Sequence, residues 1–516
     1  MIGLLEGIRI VRESVPEDAD HVLFAAVKAA DQAVPNPWDE DERADFHMPY
    51  RIRITEKRIV FNREETKRII MCFYDFTKGN IRTELIRFSI PFFLTSLIQS
   101  MYNIADIKVV GQYLGNPGIA ATSIAGNLTW SLTYGIIALC DGGAIMVSQY
   151  VGRKSEKDVK ETISTVFSMS ILLAVASTAL FFLFADPLLR LLNTPEEVFD
   201  DACTYFRICT AGSVFIFGYN AMASVLRGMG DSRTPMYFGV ASCLINIVLD
   251  ILFVGTLRMG VAGAAYATVI SQALSMLGFA ACLRLTRSKV DVRPSTFRLN
   301  KSKALSVLRL GLPGAVQSFV VSGGFLMVSA LTNSLGVSAA SGVAVAGKIN
   351  NVCQMPAVAI GSAASSMVGQ NVGSKNFDRA RSVLKNAIQI SLMIASVAFI
   401  VVQLLAMPLL RLLTHEEEVL LQGLDYLRVT SLDYLLTAFV FPLNALCNGS
   451  GHTIFTMIPS IVSSVVARVP VAYFCVRVLD LKILGVGIST PTGTISAILI
   501  CAWFYFSNRW CESTIK

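Results

Sequence analysis

Pro187-Leu188-Leu189-Arg190-Leu191-Leu192 occurs a second time in this chain, as Pro408 to Leu413, and the interval of 221 residues holds far outside the two copies. Leu114-Gly115 returns as Leu335-Gly336, Ala125-Gly126 as Ala346-Gly347, and Gln149 with Val151-Gly152 and Lys154 as Gln370 with Val372-Gly373 and Lys375. Downstream, Glu196-Glu197-Val198, Tyr205, Arg207, Gly228 and Gly230 match Glu417-Glu418-Val419, Tyr426, Arg428, Gly449 and Gly451. Unrelated apolar helices would lose register at the first loop. The chain is two related halves.

Composition names the solvent. At 53% hydrophobic and 16% charged residues, with mean hydropathy +0.57, the 516-residue chain is too apolar for a soluble enzyme of this size. Its charges gather between long apolar runs, and about 20 such residues are needed for a helix to cross the hydrocarbon. Twelve spans are expected near 85–110, 117–140, 163–185, 198–226, 235–256, 261–284, 308–334, 339–367, 384–407, 419–446, 457–478 and 485–508. The expected fold is thus an all-α integral membrane protein of two six-helix lobes. An even number of spans per half gives both the same orientation, so their pseudo-twofold axis runs along the membrane normal.

Three segments are expected: a polar extension over 1–75, a first lobe over 76–300 including a basic linker, and a second lobe over 301–516. The extension is acidic (Asp18, Asp20, Asp39 to Glu42, Asp45) and lacks the layout of a signal peptide. Tyr50 to Ile54 and Arg58 to Phe61 alternate around Glu56-Lys57 as a small hairpin would. It reads as a docking element, as a weakly folded tail, or as sequence upstream of a true start at Met71.

The net charge of +7 reflects topology, with no nucleic-acid partner expected. Lys78, Arg82 and Arg87, Arg153 to Lys160, Arg227 and Arg233, Arg284 to Arg309 and Lys375 to Lys385 all fall on one side. The other side has only Arg190, Arg258, Arg411, Arg477 and Lys482. The positive-inside rule makes the basic side cytoplasmic and puts both termini there. Arg298, Lys301 and Lys303 in the linker lie along anionic lipid or belong to a solvated connection. The 11 cysteines lack C-x-x-C spacing and fall mainly within apolar spans, as core residues do.

Ionisable groups at membrane depth are costly and usually functional. Asp106 lies near the end of span 1 away from the basic side, after Tyr102 and Asn103; Asp250 ends span 5 with Asn246 one turn before it on the same face; Thr268 enters span 6 to a similar depth. Two carboxylates, an amide and a hydroxyl suit a proton or a sodium ion. The structural alternative has Asp106 merely reaching the interface and Asn246 bonding between helices. Lys108 stands two residues from Asp106, which is not the same helical face, and is expected to snorkel outward. Pro91 and Pro313 are equivalent bend points in the first helix of each half. The second half lacks the acidic set; Lys348 and Arg468, with Asn351 beside the former, either line a substrate cavity or lock helices together. No nucleophile, phosphate loop or metal cluster presents itself, so no enzyme and no cofactor beyond a coupling ion is expected.

Taken together, Tyr102 to Asp106, Ser148-Gln149-Tyr150-Val151-Gly152, Leu226 to Asp231 with Thr234-Pro235, Asn246 to Asp250, Gly263 to Thr268, Val368 to Gly373 and Arg468-Val469-Pro470 resemble the multidrug and toxic compound extrusion (MATE) transporters, in their DinF-like bacterial branch. The resemblance covers the chain from about Thr77 to the end. It implies a monomeric antiporter in the bacterial plasma membrane, expelling amphipathic or cationic small molecules against inward sodium or protons. It also implies that Asp106, Asn246, Asp250 and Thr268 hold the cation, with Tyr102 and Asn103 accessory. Lys108 and the segment Cys140-Asp141-Gly142-Gly143 depart from the family's pattern. A flippase of lipid-linked or anionic substrates from the same superfamily is the alternative, favoured by the basic Lys348 and Arg468.

Overall fold

The computed structural model describes residues 54–55, 58–59, 74–192, 194–285, 290 and 296–512. The acidic stretch before residue 50, Met71 and the linker positions 286–289 and 291–295 lie outside the described residues. The chain divides into two compact units, Met1–Cys72 and Phe73–Lys516. In the first, β1 (Ile54–Thr55) pairs antiparallel with β2 (Arg58–Ile59), Ile54 opposite Ile59, which is the hairpin the alternation predicts.

The second unit is helical among the described residues. Its first helix, α1 (Ile81–Gly152), has 72 residues and would measure about 108 Å if straight. That is over three times the hydrocarbon thickness. Gly115, with φ 66° and ψ −163°, breaks it into two crossings. The equivalent Gly336 (φ 111°) separates α8 (Lys301–Asn333) from α9 (Val337–Gly373). Only glycine takes this backbone cheaply. Positive φ also recurs in equivalent pairs at Lys154 and Lys375 (59° and 60°) and at Gly230 and Gly451 (93° and 84°). The repeat in the letters is a repeat in the turns.

Between these lie α2 (Glu156–Leu183), the short α3 (Ala185–Leu191), α4 (Glu196–Ala211) and α5 (Ser213–Gly228), then α6 (Arg233–Asp250) running into a π-helical segment Ile251–Thr256, and α7 (Gly260–Leu285). The second half repeats the order. It has α10 (Phe377–Arg411), α11 (Glu417–Thr430), α12 (Leu432–Gly449), α13 (Ile454–Ile461), a π segment Val462–Arg468, α14 (Val469–Arg477) and α15 (Lys482–Phe506). Nine single elements are long and apolar enough to cross a membrane; α4 with α5 and α11 with α12 form two more, bent by 48° and 44°. Since α1 counts twice, the described residues make twelve crossings, six in each lobe. The helices continue through Pro91 and Pro313, and neither position departs from helical backbone.

Apolar side chains face outward, as a bilayer requires: Leu404 is 76% exposed and Phe506 77%. The lobes meet through small residues. A Cβ on Gly152 would collide with the Gln370 carbonyl, and one on Gly373 with that of its repeat counterpart Gln149. Deeper in, Gly142 lies against the Gly311 backbone. Farther along, a Cβ on Gly135 of α1 would lie 3.8 Å from the Phe319 ring of α8, an ordinary van der Waals contact. Both α1 and α9 therefore outrun their apolar spans, to Gly152 and Gly373, because their last turns are buried between the lobes on the basic side.

Gly373→Ala is expected to destabilise the protein by at least about 1–3 kcal/mol, because a backbone carbonyl cannot yield as a side chain would. Gly126→Ala, where a Cβ meets nothing within 4 Å, should leave thermal unfolding unchanged. Melting curves of the two purified variants check the contrast.

Candidate functional site

α6 ends on Asp250, at the junction where the backbone passes into its π segment. π-bulges cluster at functional positions because the wider turn releases backbone and re-aims side chains. Asp250 is fully buried and Asn246, one turn earlier, is 2% exposed. Neither Asp250 oxygen, and neither end of the Asn246 amide, meets a protein hydrogen-bond partner. Leaving such groups unpaired costs about 1–3 kcal/mol each, and more when charged. A folded protein retains that cost where the groups serve something else.

The first crossing supplies the rest. Asp106 is half-buried, and its carboxyl acts electrostatically on that of Asp250. Tyr102 adjoins both carboxyls and Thr268. Thr268 itself donates to the Ala264 carbonyl at 3.1 Å, which leaves its oxygen lone pairs available. The structure thus brings together Tyr102, Asp106, Asp250 and Thr268, with Asn246 on the same helical face. Asn103 and Lys108 are exposed.

Tyr205 of α4 also adjoins Thr268, Tyr102 and Asp106, and the sequence reading did not include it. Its signal was the repeat match to Tyr426. The arrangement offers oxygen atoms from two carboxyls, an amide and hydroxyls. A hard monovalent cation takes oxygen ligands, and a proton is shared readily by two adjacent carboxyls that cannot both ionise cheaply. The unpaired Asp250 and Asn246 oxygens fit either one.

The second lobe differs from expectation. Arg468 closes its own π segment and lies 4.3 Å over the Phe325 ring, with Nε unpaired. Its charged neighbour is Asp433, near the bend between α11 and α12, 4% exposed with Oδ1 unpaired. The reading that the second lobe's interior charges are only Lys348 and Arg468 is therefore corrected by a buried acid. Gln354 donates to Asp433 Oδ2 at 3.4 Å, and the Tyr434 hydroxyl to Asn350 Oδ1 at 2.5 Å. Lys348 and Asn351 are exposed. The linker reading changes too, because the Lys303 ammonium is engaged within the protein by Tyr150 and Asp158.

Two six-helix lobes with buried polar groups at membrane depth define a membrane transporter of the repeat-built kind. The MatE family model matches residues 91–252 and again 313–474, one match per lobe, and the chain belongs to that family. Among its relatives, the probable multidrug resistance protein YpnP of Bacillus subtilis (strain 168) is 30% identical over 440 residues, 85% of this chain and 97% of the relative. The probable multidrug resistance protein NorM of Thermotoga maritima is 27% identical over 438 residues, 83% of this chain and 93% of the relative. A solved structure described as the outward-facing conformation of a multidrug resistance MATE family transporter superposes with TM-score 0.80 at 25% identity, over 86% of this chain and 99% of that one. A Pyrococcus furiosus transporter of the same superfamily, described by the reverse polarity of its binding pocket, gives 0.79 at 25% identity, over 85% and 98%.

Asn246→Leu removes two unpaired buried polar ends at similar volume. It is expected to raise the melting temperature of the purified protein by a few degrees. A fall would mean that the amide is paired within the protein.

Proposed function

We propose that this protein is a cation-coupled antiporter that exports amphipathic or cationic small molecules across a bacterial plasma membrane. The observation that carries the reading is the buried, unpaired Asp250–Asn246 pair beside Asp106. Multidrug names among the relatives support the substrate class. Asp106, Asn246, Asp250 and Thr268 hold the coupling ion, sodium or a proton, with Tyr102 and Tyr205 as hydroxyl neighbours. The bound ion supplies positive charge between the two carboxyls, which no side chain there supplies.

The mechanism is differential binding. A cation bound between the first crossing and α6 and α7 favours one arrangement of the first lobe, and drug binding in the central cavity favours the other. The lobes then rock about their contact, exposing the cavity to alternate sides. MATE structures solved in bent and in straight conformations superpose on this chain with TM-scores 0.78 and 0.80, and they support mobility of the fold. The basic side is cytoplasmic by the positive-inside rule, with both chain ends there. Residues 76–300 and 301–516 act as the two rocking bodies of a monomer, embedded in lipid, and 1–75 as a separate extension.

For the flippase alternative, Arg468 loses weight as an anion-binding charge because Asp433 stands beside it.

In drug-sensitive cells the parent should expel a cationic dye, and Asp250→Asn should cut efflux at least about tenfold at unchanged membrane abundance, the cost of one charged interaction. With the sodium and proton gradients collapsed separately, only one collapse should stop the parent, and that one names the ion. Undiminished efflux by Asp250→Asn would exclude this site.

A further inference from the structure

The segment entering each lobe is held by the opposite lobe, and by repeat-equivalent residues. Phe76 precedes the first crossing. Its N–H donates to Gln370 Oε1 at 3.0 Å, and its carbonyl accepts from Asn371 Nδ2 at 3.1 Å and Arg379 Nε at 2.8 Å. The Arg379 guanidinium also reaches the carbonyls of Lys78 and Gly79 and lies 3.5 Å from Glu84. The Phe76 ring, fully buried, packs 4.8 Å from Phe88 of its own lobe and joins a cluster containing Met367, Val383 and Trp510 of the other.

The second arm begins α8. Lys303 Nζ donates to Tyr150 Oη and to Asp158 Oδ1, both at 2.7 Å, and lies 3.9 Å over the Tyr150 ring. Just upstream, Ser164 Oγ donates to the Thr296 carbonyl at 2.9 Å, and Asn300, which caps α8, reaches Glu161 at 3.3 Å. Tyr150 and Asn371 are repeat partners, and so are Asp158 and Arg379, at the same interval of 221 residues. One lobe grips with an acid and the other with a base. The two grips share a place in the fold and have opposite polarity.

Both arms cross between the lobes on the basic side, beside the Gly152–Gln370 and Gly373–Gln149 approaches. Opening the cavity toward that side has to break all of these at once. We propose that Lys303–Asp158/Tyr150 and Arg379–Phe76 form a reciprocal latch that holds the basic side shut, making Lys303 and Arg379 positioning residues that set how often the carrier opens there. The proposal rests on the rocking-lobe reading above. The latch is a charged contact that yields to conformational load and salt.

Hydrogen exchange of the purified full chain tests this without any transport step, so it stays distinguishable from failure of the efflux reading. Lys303→Met and Arg379→Met should each speed amide exchange at 145–152 and 366–373 by about tenfold, the loss of one charged hydrogen bond. Exchange in α7 and α15 should not change. The swapped pair Lys303→Asp with Asp158→Lys should return the helix ends to parental rates. Parental rates in both single variants, acceleration spread across the whole chain, or failure of the swap to restore protection would each overturn the latch.

Discussion

Gly152 and Gly373 bring the backbones of α1 and α9 into direct contact with Gln370 and Gln149, and the two-lobed arrangement depends on this double approach. In lipid there is no hydrophobic drive between helices, so close packing of small residues and buried hydrogen bonds must hold them. Here Gln149 donates to the Gly449 carbonyl at 2.8 Å, while Gln370 accepts from Phe76. The same residue in the two halves thus does different work. The tightest of these approaches, at Gly152 and Gly373, lie at the basic side. Two bodies joined at one end can rock about that joint, which is the motion alternating access requires.

Chemistry divides unequally between the lobes although the backbone does not. Each has a π segment in its fifth crossing, and each places an ionisable residue there: Asp250 before Ile251–Thr256, and Arg468 at the end of Val462–Arg468. In the first lobe the neighbour of Asp250 is another acid, Asp106, so the pair calls for a cation. In the second, Arg468 acts on the buried acid Asp433 from beyond ion-pair distance, so this lobe carries one charge of each sign. A duplicated scaffold has kept its turns and diverged at the positions that decide what is bound.

Much of this was legible in the letters. The 221-residue register located both halves, the apolar runs located the twelve crossings, and depth with oxygen chemistry proposed Asp106, Asn246, Asp250 and Thr268 as one group. Short-range physics governs all three. What was not legible depends on contacts distant in sequence. Nothing near Phe76 announces that Gln370 and Arg379 will hold it, and nothing near Lys303 announces Asp158. Asp433 falls inside the expected span 419–446 and was not singled out there; its burial beside the bend between α11 and α12 is a tertiary fact. At Pro91 and Pro313 both helices continue with helical backbone.

The central claim is that a cation exchanges at the Asp106–Asp250 pair, and infrared difference spectroscopy of the purified protein addresses it most directly. Spectra taken across a pH step and across sodium addition should show a carboxyl C=O band that changes with one of the two. That band should vanish in Asp250→Asn and be altered in Asp106→Asn. A difference spectrum without a carboxyl band, or one that Asp250→Asn leaves untouched, would contradict the assignment of the coupling ion to this pair.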